Sequence, residues 1–197
     1  MKRLMLTLLV PLFCYAQDGT AMKIRVPSQD SIPNTGVTLK NKEVIYQKVF
    51  SSNLKKEDLL DKLTTLLTNM RNFRFNKTNS LSESNIFGRL LDYRCHIGKF
   101  ERGQLDASTI LSYPMNASVA VQVKDYKYRI TITEIAFKHR SDTTSNATYE
   151  SFIETSMTTK SRAGFKMSKD NIKTASALDQ DLTDKFDLTK SPILEDF

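Results

Sequence analysis

The sequence predicts an α+β fold: an antiparallel sheet of about four strands, in the order β-α-β-β-β, with one long helix packed on one face. A β-branched and aromatic run at 44–50 precedes leucines at helical spacing, which is typical of a strand followed by an amphipathic helix. Two later segments alternate apolar and polar residues, as half-buried strands do. Because the chain has 197 residues, one such domain with appendages accounts for it.

Residues 1–16 have the layout of a secretory signal peptide. Lys2 and Arg3 precede an apolar run, and the small residue Ala16 stands at the cleavage position. Since a membrane span needs about 20 apolar residues, this shorter run predicts no transmembrane helix in the mature chain. We expect cleavage after Ala16 and an exported protein, either periplasmic or secreted to the cell surface. Lipidation of Cys14 is the alternative, disfavoured because a bulky residue precedes it.

Residues 17–42 are rich in Pro, Ser, Asn and Gly, which predicts an N-terminal linker. The folded domain is expected to span residues 43–140 and to begin with the strand at 44–50. Residues 141–197 are expected to form a Ser/Thr-rich loop followed by a C-terminal helix or tail. The chain therefore divides into a signal peptide, a linker, one domain and a C-terminal segment.

The long helix is predicted over residues 54–72. Asn53 stands where an N-cap residue is expected, and Glu57 and Asp58 fall in the first turn, where the helix dipole favours negative charge. The apolar residues recur every three or four positions and form one wide stripe. The stripe comprises Leu59, Leu60, Leu63, Leu66, Leu67 and Met70.

Two segments after this helix predict the rest of the sheet. A strand beginning near Ile86 alternates over residues 91–97, with apolar and polar side chains on opposite faces. Residues 119–132 read as a hairpin that turns at Asp125. The apolar phase shifts by one residue after Glu134, which predicts a bulge or a strand end there. The apolar side of the 91–97 segment comprises Leu91, Tyr93, Cys95 and Ile97.

A C-terminal helix would begin at Ser168, a good N-cap residue. Its charges run against the helix dipole, because Lys169 lies near the start and Asp179 and Asp181 lie towards the end. Such a helix would have to be held by docking onto the sheet. Its apolar positions are Ile172, Ala175, Leu178, Leu182 and Phe186.

Composition and motifs argue against several classes of site. Two Cys and two His are too few for a disulfide scaffold or a zinc cluster. Nucleotide-binding, serine-hydrolase and metalloprotease motifs are absent, so we expect no catalytic residue, no cofactor and no metal. Cys95 and His96 would point to opposite faces of a strand, which argues against a Cys–His pair. His139 is expected to be solvated, beside Lys138 and Arg140.

Short motifs carry a resemblance to a known family, and the similarity covers roughly residues 36–140. They are Ala16-Gln17 at the end of the signal, Val44-Ile45-Tyr46, Lys55-Lys56-Glu57-Asp58-Leu59-Leu60, Ile86-Phe87-Gly88-Arg89, Val121-Gln122-Val123-Lys124-Asp125 and Tyr128-Arg129-Ile130-Thr131-Ile132. Through these motifs the chain resembles the DUF4468 group of exported, uncharacterised Bacteroidetes proteins, which have a TBP-like fold. The resemblance implies that fold and export, and it supplies no catalytic residue.

Polar residues opposite the apolar positions define a candidate binding face: Asp92, Arg94, His96, Gln122, Lys124, Arg129, Thr131 and Thr133. If the helix covers one side of the sheet, these residues line the other. The leading hypothesis is an exported, nonenzymatic cell-envelope protein that binds a protein, a glycan or an anionic lipid through this face or through its C-terminal tail. Nucleic acid is not expected as a partner, because the face lacks an aromatic ladder on which bases stack.

Two alternatives stay open at the level of sequence. One is an envelope hydrolase with an unrecognised site, in which His96 works with Asp92; on one strand face these residues would lie about 13 Å apart. The other is a purely structural component of a surface assembly. Neither alternative is favoured by a recognisable motif.

Two short patterns concern modification. Asp30-Ser31-Ile32 and Asp142-Thr143-Thr144 resemble the acceptor pattern of Bacteroidetes O-glycosylation. Both fall in segments predicted to be loops. Ser31 and Thr143 are therefore candidate O-glycosylation sites.

Overall fold

One antiparallel sheet organises the part of the chain that the computed structural model describes, residues 29–76, 81–82, 84–96, 109–140 and 148–190. The predicted signal peptide, the cleavage site after Ala16 and the candidate site Thr143 lie outside these residues. The strands are β1 (Val37–Lys40), β2 (Glu43–Ser51), β3 (Phe73–Phe75), β4 (Leu81–Ser82), β5 (Asn85–Tyr93), β6 (Met115–Lys124), β7 (Lys127–Arg140) and β8 (Thr148–Phe152). The helices are α1 (Lys56–Asn69), α2 (Ile153–Met157) and α3 (Lys169–Phe186), with a 3₁₀ turn at Thr109–Ser112.

The strands cross the sheet in the order β1, β2, β7, β6, β5, β3. On the outer side of β5, β4 pairs beside β3. Strand β7 is 14 residues long; its first half pairs with β2 and its second half with β8. The predicted α+β class with an antiparallel sheet is confirmed, and the sheet is larger than the four strands that the sequence predicts.

Two of the additional strands come from segments that the sequence assigns to linker and loop. In the predicted linker, Ile32 is 1% exposed and Val37 0% exposed, and β1 pairs with β2 along its whole length. In the predicted loop, β8 pairs with β7. Sequence patterning misses β1 because it has four residues beside turn formers, and β8 because nearly all of it is exposed and lacks an apolar side.

Helices α1 and α3 bury their apolar stripes against the same face of the sheet. The predicted C-terminal helix is therefore present, and Ser168 caps it by accepting a hydrogen bond from the Asn171 backbone N–H at 3.2 Å. The sheet meets the helices with alternate residues of its central strands, among them Val121 and Ile130, both 0% exposed. The helices contribute Leu59, Leu63, Leu66 and Leu67 from α1, and Ala175, Leu178, Leu182 and Phe186 from α3.

Helix α1 begins two residues later than predicted, and Asn53 is not its N-cap. The N-cap residue is Lys55, whose side chain makes no capping bond. The Asp125 carboxylate, in the turn between β6 and β7, instead accepts the Lys56 backbone N–H at 3.0 Å. A side chain 69 residues away thus supplies the negative charge that a helix N-terminus favours.

Two bulges set which side chains face the helices. Asp92 and Glu134 both have φ of 52°, and the strand register shifts beside each of them. The bulge predicted near Glu134 is confirmed. The bulge at Asp92 was not predicted, and it puts Leu90 and Tyr93 in the core while Leu91 is 38% exposed. The prediction that Leu91 belongs to the apolar side is therefore wrong.

Buried aspartates hold α3 on the sheet, and Asp179 is the first. Its carboxylate accepts the Gly36 backbone N–H at 2.8 Å and the Lys48 ammonium at 2.9 Å. Lys48 also donates to the Thr183 hydroxyl, one turn further along α3, at 2.7 Å. A buried carboxylate is tolerated when its charge is paired and its oxygens accept hydrogen bonds, so these contacts explain a charge that the helix dipole disfavours.

Asp181 is the second buried aspartate, with its side chain 6% exposed. It accepts the Tyr93 hydroxyl at 2.7 Å and the His96 backbone N–H at 3.0 Å. Both donors belong to the end of β5 and the residues that follow it. Asp181 therefore joins α3 to the far side of the sheet from β1 and β2.

Strand β3 closes one side of the sheet through two contacts. The ring of Phe73 covers Gly88 of β5, where a Cβ would lie 2.1 Å from Phe73 Cζ and 2.6 Å from the Arg74 carbonyl oxygen. The guanidinium of Arg74 donates to the backbone carbonyls of Arg71 at 2.9 Å and Phe73 at 2.8 Å. Only glycine fits at position 88 without a shift of β3.

We predict that Gly88→Ala lowers the free energy of unfolding by about 1–3 kcal/mol, because the added methyl group overpacks the contact with Phe73. Urea unfolding followed by circular dichroism measures the change. Arg89→Ala, an exposed neighbour on the same strand, serves as the control and should change stability by about 0.5 kcal/mol or less. Equal stability of Gly88→Ala and the parent chain would contradict the packing described here.

We also predict that Asp181→Ala lowers the free energy of unfolding by about 2–4 kcal/mol, because the Tyr93 hydroxyl and the His96 N–H lose their acceptor in a buried place. Asp184→Ala is the matched control on the same helix. It removes a partly exposed ion pair with Lys190 and should change stability by about 1 kcal/mol or less. Thermal unfolding of the two variants compares them, and equal losses would show that Asp181 does not anchor α3.

Candidate functional site

The face of the sheet opposite the helices carries much of the predicted binding face. Gln122 pairs directly with Arg129 across β6 and β7, and the neighbouring Val121 and Ile130 point to the helices. Successive side chains of a strand alternate between faces, so the polar residues of this hairpin share the open face. The predicted residues brought together there are Gln122, Lys124, Arg129, Thr131 and Thr133.

The other three predicted residues do not join them. Asp92 lies in the bulge, where its carboxylate is bound to the Lys138 ammonium at 2.6 Å. Arg94 is exposed and follows the last residue of β5. His96 is bound through its backbone N–H to Asp181 on the helix side. The pairing of His96 with Asp92 that a hydrolase would use is not formed, because the two residues contact different parts of the fold.

A cavity of about 490 Å³ lies on the open face at the hairpin end. Gln122, Lys124, Lys127 and Arg129 line it, and we call these four residues the hairpin-end site. Exposed Val49, at 59% exposure, also borders the cavity. The cavity thus brings three cations together, and no acidic side chain is among its described lining residues.

The pairing of strands places like charges opposite each other in the hairpin-end site. Lys124 and Lys127 are direct cross-strand partners, next to the pair of Gln122 and Arg129. Like charges directly opposite each other destabilise an antiparallel pair. Arg129 Nη2 donates to Gln122 Oε1, which orients the guanidinium beside the lysines. The hairpin therefore carries a repulsion that folding alone does not require.

Within the residues that the structure describes, no carboxylate forms an ion pair with these cations. Asp125 is in the same turn, but its carboxylate accepts the Lys56 N–H at the start of α1. At the other end of the open face, Glu134 lies 4.0 Å from Arg89, and Asp92 binds Lys138. Among the described residues, ion pairs therefore lie around the bulges, and the cations of the hairpin end have no acidic partner.

Both long helices fix the hairpin that carries the site. Asp125 binds the first turn of α1, as described above. On the helix side, the Tyr128 hydroxyl donates to the Phe186 carbonyl at 2.8 Å and accepts the Leu188 N–H at 3.0 Å. The cations therefore project from a rigid element, and little order has to be gained when a ligand binds.

Lys127 and Val49 are two of the cavity-lining residues that the predicted binding face did not include. Lys127 has the same alternation as Arg129, so the hairpin pattern already contained the signal that places it on the open face. Val49 belongs to the predicted strand at 44–50, where alternation with buried Phe50 marks it as outward-facing. Neither required information from beyond its own strand.

A second polar group lies on the helix side, near the 3₁₀ turn. His139 Nε2 is 2.6 Å from the Ser151 hydroxyl, and the imidazole lies between the rings of Tyr113 and Tyr149, with centroid distances of 4.2 and 5.1 Å. His139 is therefore half-buried and bonded, which differs from the solvated residue expected from the sequence. Within the described ranges no carboxylate makes a hydrogen bond to this imidazole, as a catalytic triad requires.

Cys95 is partly buried against the core, and His96 is exposed, in agreement with the expected split between the two side chains. Burial raises the pKa of the Cys95 thiol, and the negative charge of Asp181 raises it further. The thiolate is the nucleophilic form of cysteine, so this environment opposes nucleophilic chemistry. Among the described residues, no cluster of His, Cys, Asp and Glu has an arrangement that holds a metal ion.

We predict that Cys95 resists alkylation in the folded protein. In residues 17–197, iodoacetamide at pH 8 should react with Cys95 more than tenfold slower in buffer than in 8 M urea, because each unit by which the pKa is raised lowers the thiolate fraction about tenfold. Mass spectrometry of quenched time points gives both rates. Similar rates in the two solvents would contradict the raised pKa.

The candidate modification site Ser31 is exposed and lies just before β1, where it forms an isolated bridge with Thr38. Accessibility of this kind is compatible with O-glycosylation, which stays a prediction. Within the described ranges, none of the helices combines the length and the hydropathy that a membrane-spanning helix needs.

Comparison with known proteins gives structural neighbours of the kind that the sequence predicts. No family model matches the sequence, and no curated protein matches it. The chain is similar to a solved TBP-like protein from Parabacteroides distasonis ATCC 8503, with a TM-score of 0.49 and 14% identity over 75% of this chain and 93% of that one. It is also similar to a solved DUF4468 family protein from Bacteroides ovatus ATCC 8483, with a TM-score of 0.45 and 13% identity over 76% of this chain and 87% of that one. These two neighbours are described as a TBP-like protein and a DUF4468 family protein, the kinds that the sequence resembles, and neither description names an activity.

Proposed function

We propose that the protein is an exported, nonenzymatic protein of the cell envelope that binds an anionic partner through the hairpin-end site. The observation that carries this proposal is the group of three cations, Lys124, Lys127 and Arg129, around one cavity with no acidic side chain among its described lining residues. The layout of residues 1–16 supports export. The proposal narrows the predicted binding face to the end of the hairpin.

The stability of the hairpin supports a binding role for these cations. Opposed lysines on adjacent strands repel each other, and residues that break a local rule of stability tend to be functional. A cavity lined by one sign of charge also concentrates the field and raises the local concentration of oppositely charged ligands. An anion bound between Lys124 and Lys127 would replace their repulsion with attraction.

The nonenzymatic part of the proposal has separate support. The raised pKa of Cys95 disfavours a thiolate nucleophile. The hairpin-end site contains amide, ammonium and guanidinium groups, whose N–H donors bind anions. Binding is therefore the chemistry that this set of side chains performs best.

Sedimentation with isolated Bacteroidetes cell envelopes tests the proposal on residues 17–197. The triple variant Lys124→Gln, Lys127→Gln and Arg129→Gln should bind envelopes at least tenfold more weakly than the parent chain. Added salt, at about 0.5 M, should weaken binding by the parent chain because it screens exposed charges.

The matched control removes three exposed cations elsewhere: Lys62→Gln, Lys160→Gln and Lys169→Gln. It has the same net charge as the site variant and should bind within twofold of the parent chain. Thermal unfolding verifies that both variants fold, and the site variant should be at least as stable as the parent chain because the Lys124–Lys127 repulsion is gone. Equal binding by the two triple variants, or no envelope binding by the parent chain, would overturn the proposal.

A further inference from the structure

We infer that the anionic partner is an acidic glycan, and that the hairpin-end site holds a sugar residue bearing a carboxylate or sulfate group. This inference rests on the proposed function and specifies its ligand. The size of the cavity, the chemistry of its lining and the position of the cations support an acidic glycan as the ligand.

The size of the cavity favours a small unit of a polymer over a protein surface. Its volume of about 490 Å³ falls within the range of about 300–1,000 Å³ that is usual for small-ligand pockets. A stable protein partner buries about 800 Å² on each side, which is an extended contact rather than one depression at the end of a hairpin. A sugar residue enters such a depression while the rest of the glycan stays in solvent.

The lining supplies hydrogen-bond donors for both the acidic group and the hydroxyl groups of an acidic sugar. Arg129 has five N–H donors in a planar fork, and Gln122 engages part of that fork, so donors remain for the paired oxygens of a carboxylate or sulfate. The Gln122 side chain also has an NH₂ group, a donor suited to sugar hydroxyls. Val49, which borders the cavity, offers an apolar contact for the C–H face of a sugar ring.

The position of the cations distinguishes a glycan from a lipid surface. A flat bilayer is reached by side chains that protrude together, with apolar groups entering the interface beside basic ones. Here the three cations line a concavity, with Val49 as the one strongly exposed apolar side chain among its described lining residues. Exposed cations that converge on one depression suit a narrow chain that enters it.

Polar side chains continue along the open face beside the hairpin-end site. Gln47 Nε2 donates to the Thr131 hydroxyl at 3.1 Å, and Thr131 is two residues from Arg129 on β7. Ala120 is the cross-strand partner of Thr131, and its small side chain does not protrude from this part of the open face. A glycan chain that places its acidic group at the hairpin end can therefore extend over amide and hydroxyl groups of the sheet.

Calorimetric titration of residues 17–197 tests the inference with defined probes. Oligogalacturonate supplies carboxylates, dextran sulfate supplies sulfates, and neutral dextran is the uncharged control. Vesicles of phosphatidylglycerol with phosphatidylcholine represent a lipid surface, and poly-glutamate represents an acidic protein. We expect at least one acidic glycan to bind tenfold or more tightly than neutral dextran, the vesicles and poly-glutamate.

Variants of the site sharpen the test. Arg129→Lys keeps the charge but loses the planar fork, so it should weaken binding of the acidic glycan at least fivefold. The site triple variant should weaken it at least thirtyfold, and the control triple variant with Lys62, Lys160 and Lys169 replaced should stay within twofold. Gln122→Ala should weaken glycan binding at least threefold while the fold, checked by thermal unfolding, is kept.

The outcomes separate this inference from the proposed function. One outcome is that envelopes retain the parent chain through the site while vesicles or poly-glutamate bind as tightly as the acidic glycans. In that case the proposed function stands, and the inference that the ligand is an acidic glycan is wrong. Unchanged binding by Arg129→Lys and Gln122→Ala together would also overturn the inference, because charge alone would then explain binding. If envelopes do not retain the parent chain at all, the proposed function fails first.

Discussion

The two buried aspartates of α3 determine which face of the sheet is covered. Asp179 and Asp181 are two residues apart, so they point about 200° apart around the helix axis. One reaches Gly36 and Lys48 beside β1 and β2, and the other reaches the end of β5. Because each carboxylate would be strongly destabilising without its partners, α3 is held from both sides and lies across the sheet. In the part of the chain that the structure describes, the helices cover this face and no helix covers the opposite one.

The β6–β7 hairpin separates its charges in a way that follows from this arrangement. The acidic residue of its turn, Asp125, contacts α1, while Lys124 and Lys127 project to the open face. Tyr128 binds the end of α3, so the hairpin contacts both long helices. The carboxylate of the turn is therefore bound by the first turn of α1, and the two lysines that flank the turn lie on the open face.

The sequence predicts most reliably those elements whose pattern is complete within one segment. Helix α1 and the hairpin each show a complete repeat of apolar and polar residues. The bulge at Glu134 is visible in the sequence as a one-residue shift of that repeat. Ser168 also caps α3 as its position predicts. The start of α1 could not be placed, because its capping carboxylate comes from Asp125, far away in the sequence. Strands β1 and β8 lacked a pattern, since one is very short and the other is mostly exposed.

The residues of the predicted binding face also divide into those that local pattern could place and those that it could not. Gln122 and Arg129 could be paired from sequence because a two-residue turn fixes the register of the hairpin. Arg94 and His96 could not be placed, because the bulge at Asp92 breaks the alternation and β5 ends at Tyr93. In addition, the backbone N–H of His96 donates to the buried Asp181 carboxylate, a contact that no local sequence pattern reveals. Local periodicity thus predicts the hairpin part of the site and fails where tertiary contacts take over.

The position of the Arg74 guanidinium has a consequence for association between molecules. An edge strand with unpaired backbone groups is a template for a strand from another chain, and such pairing leads to aggregation. On β3, the guanidinium occupies the carbonyl oxygens of Arg71 and Phe73 and places a positive charge on the same edge. A neighbouring copy would have to displace those bonds and bring a second Arg74 close to the first. The outermost strand on this side is thereby protected from polymerisation at the high local concentrations of a crowded compartment.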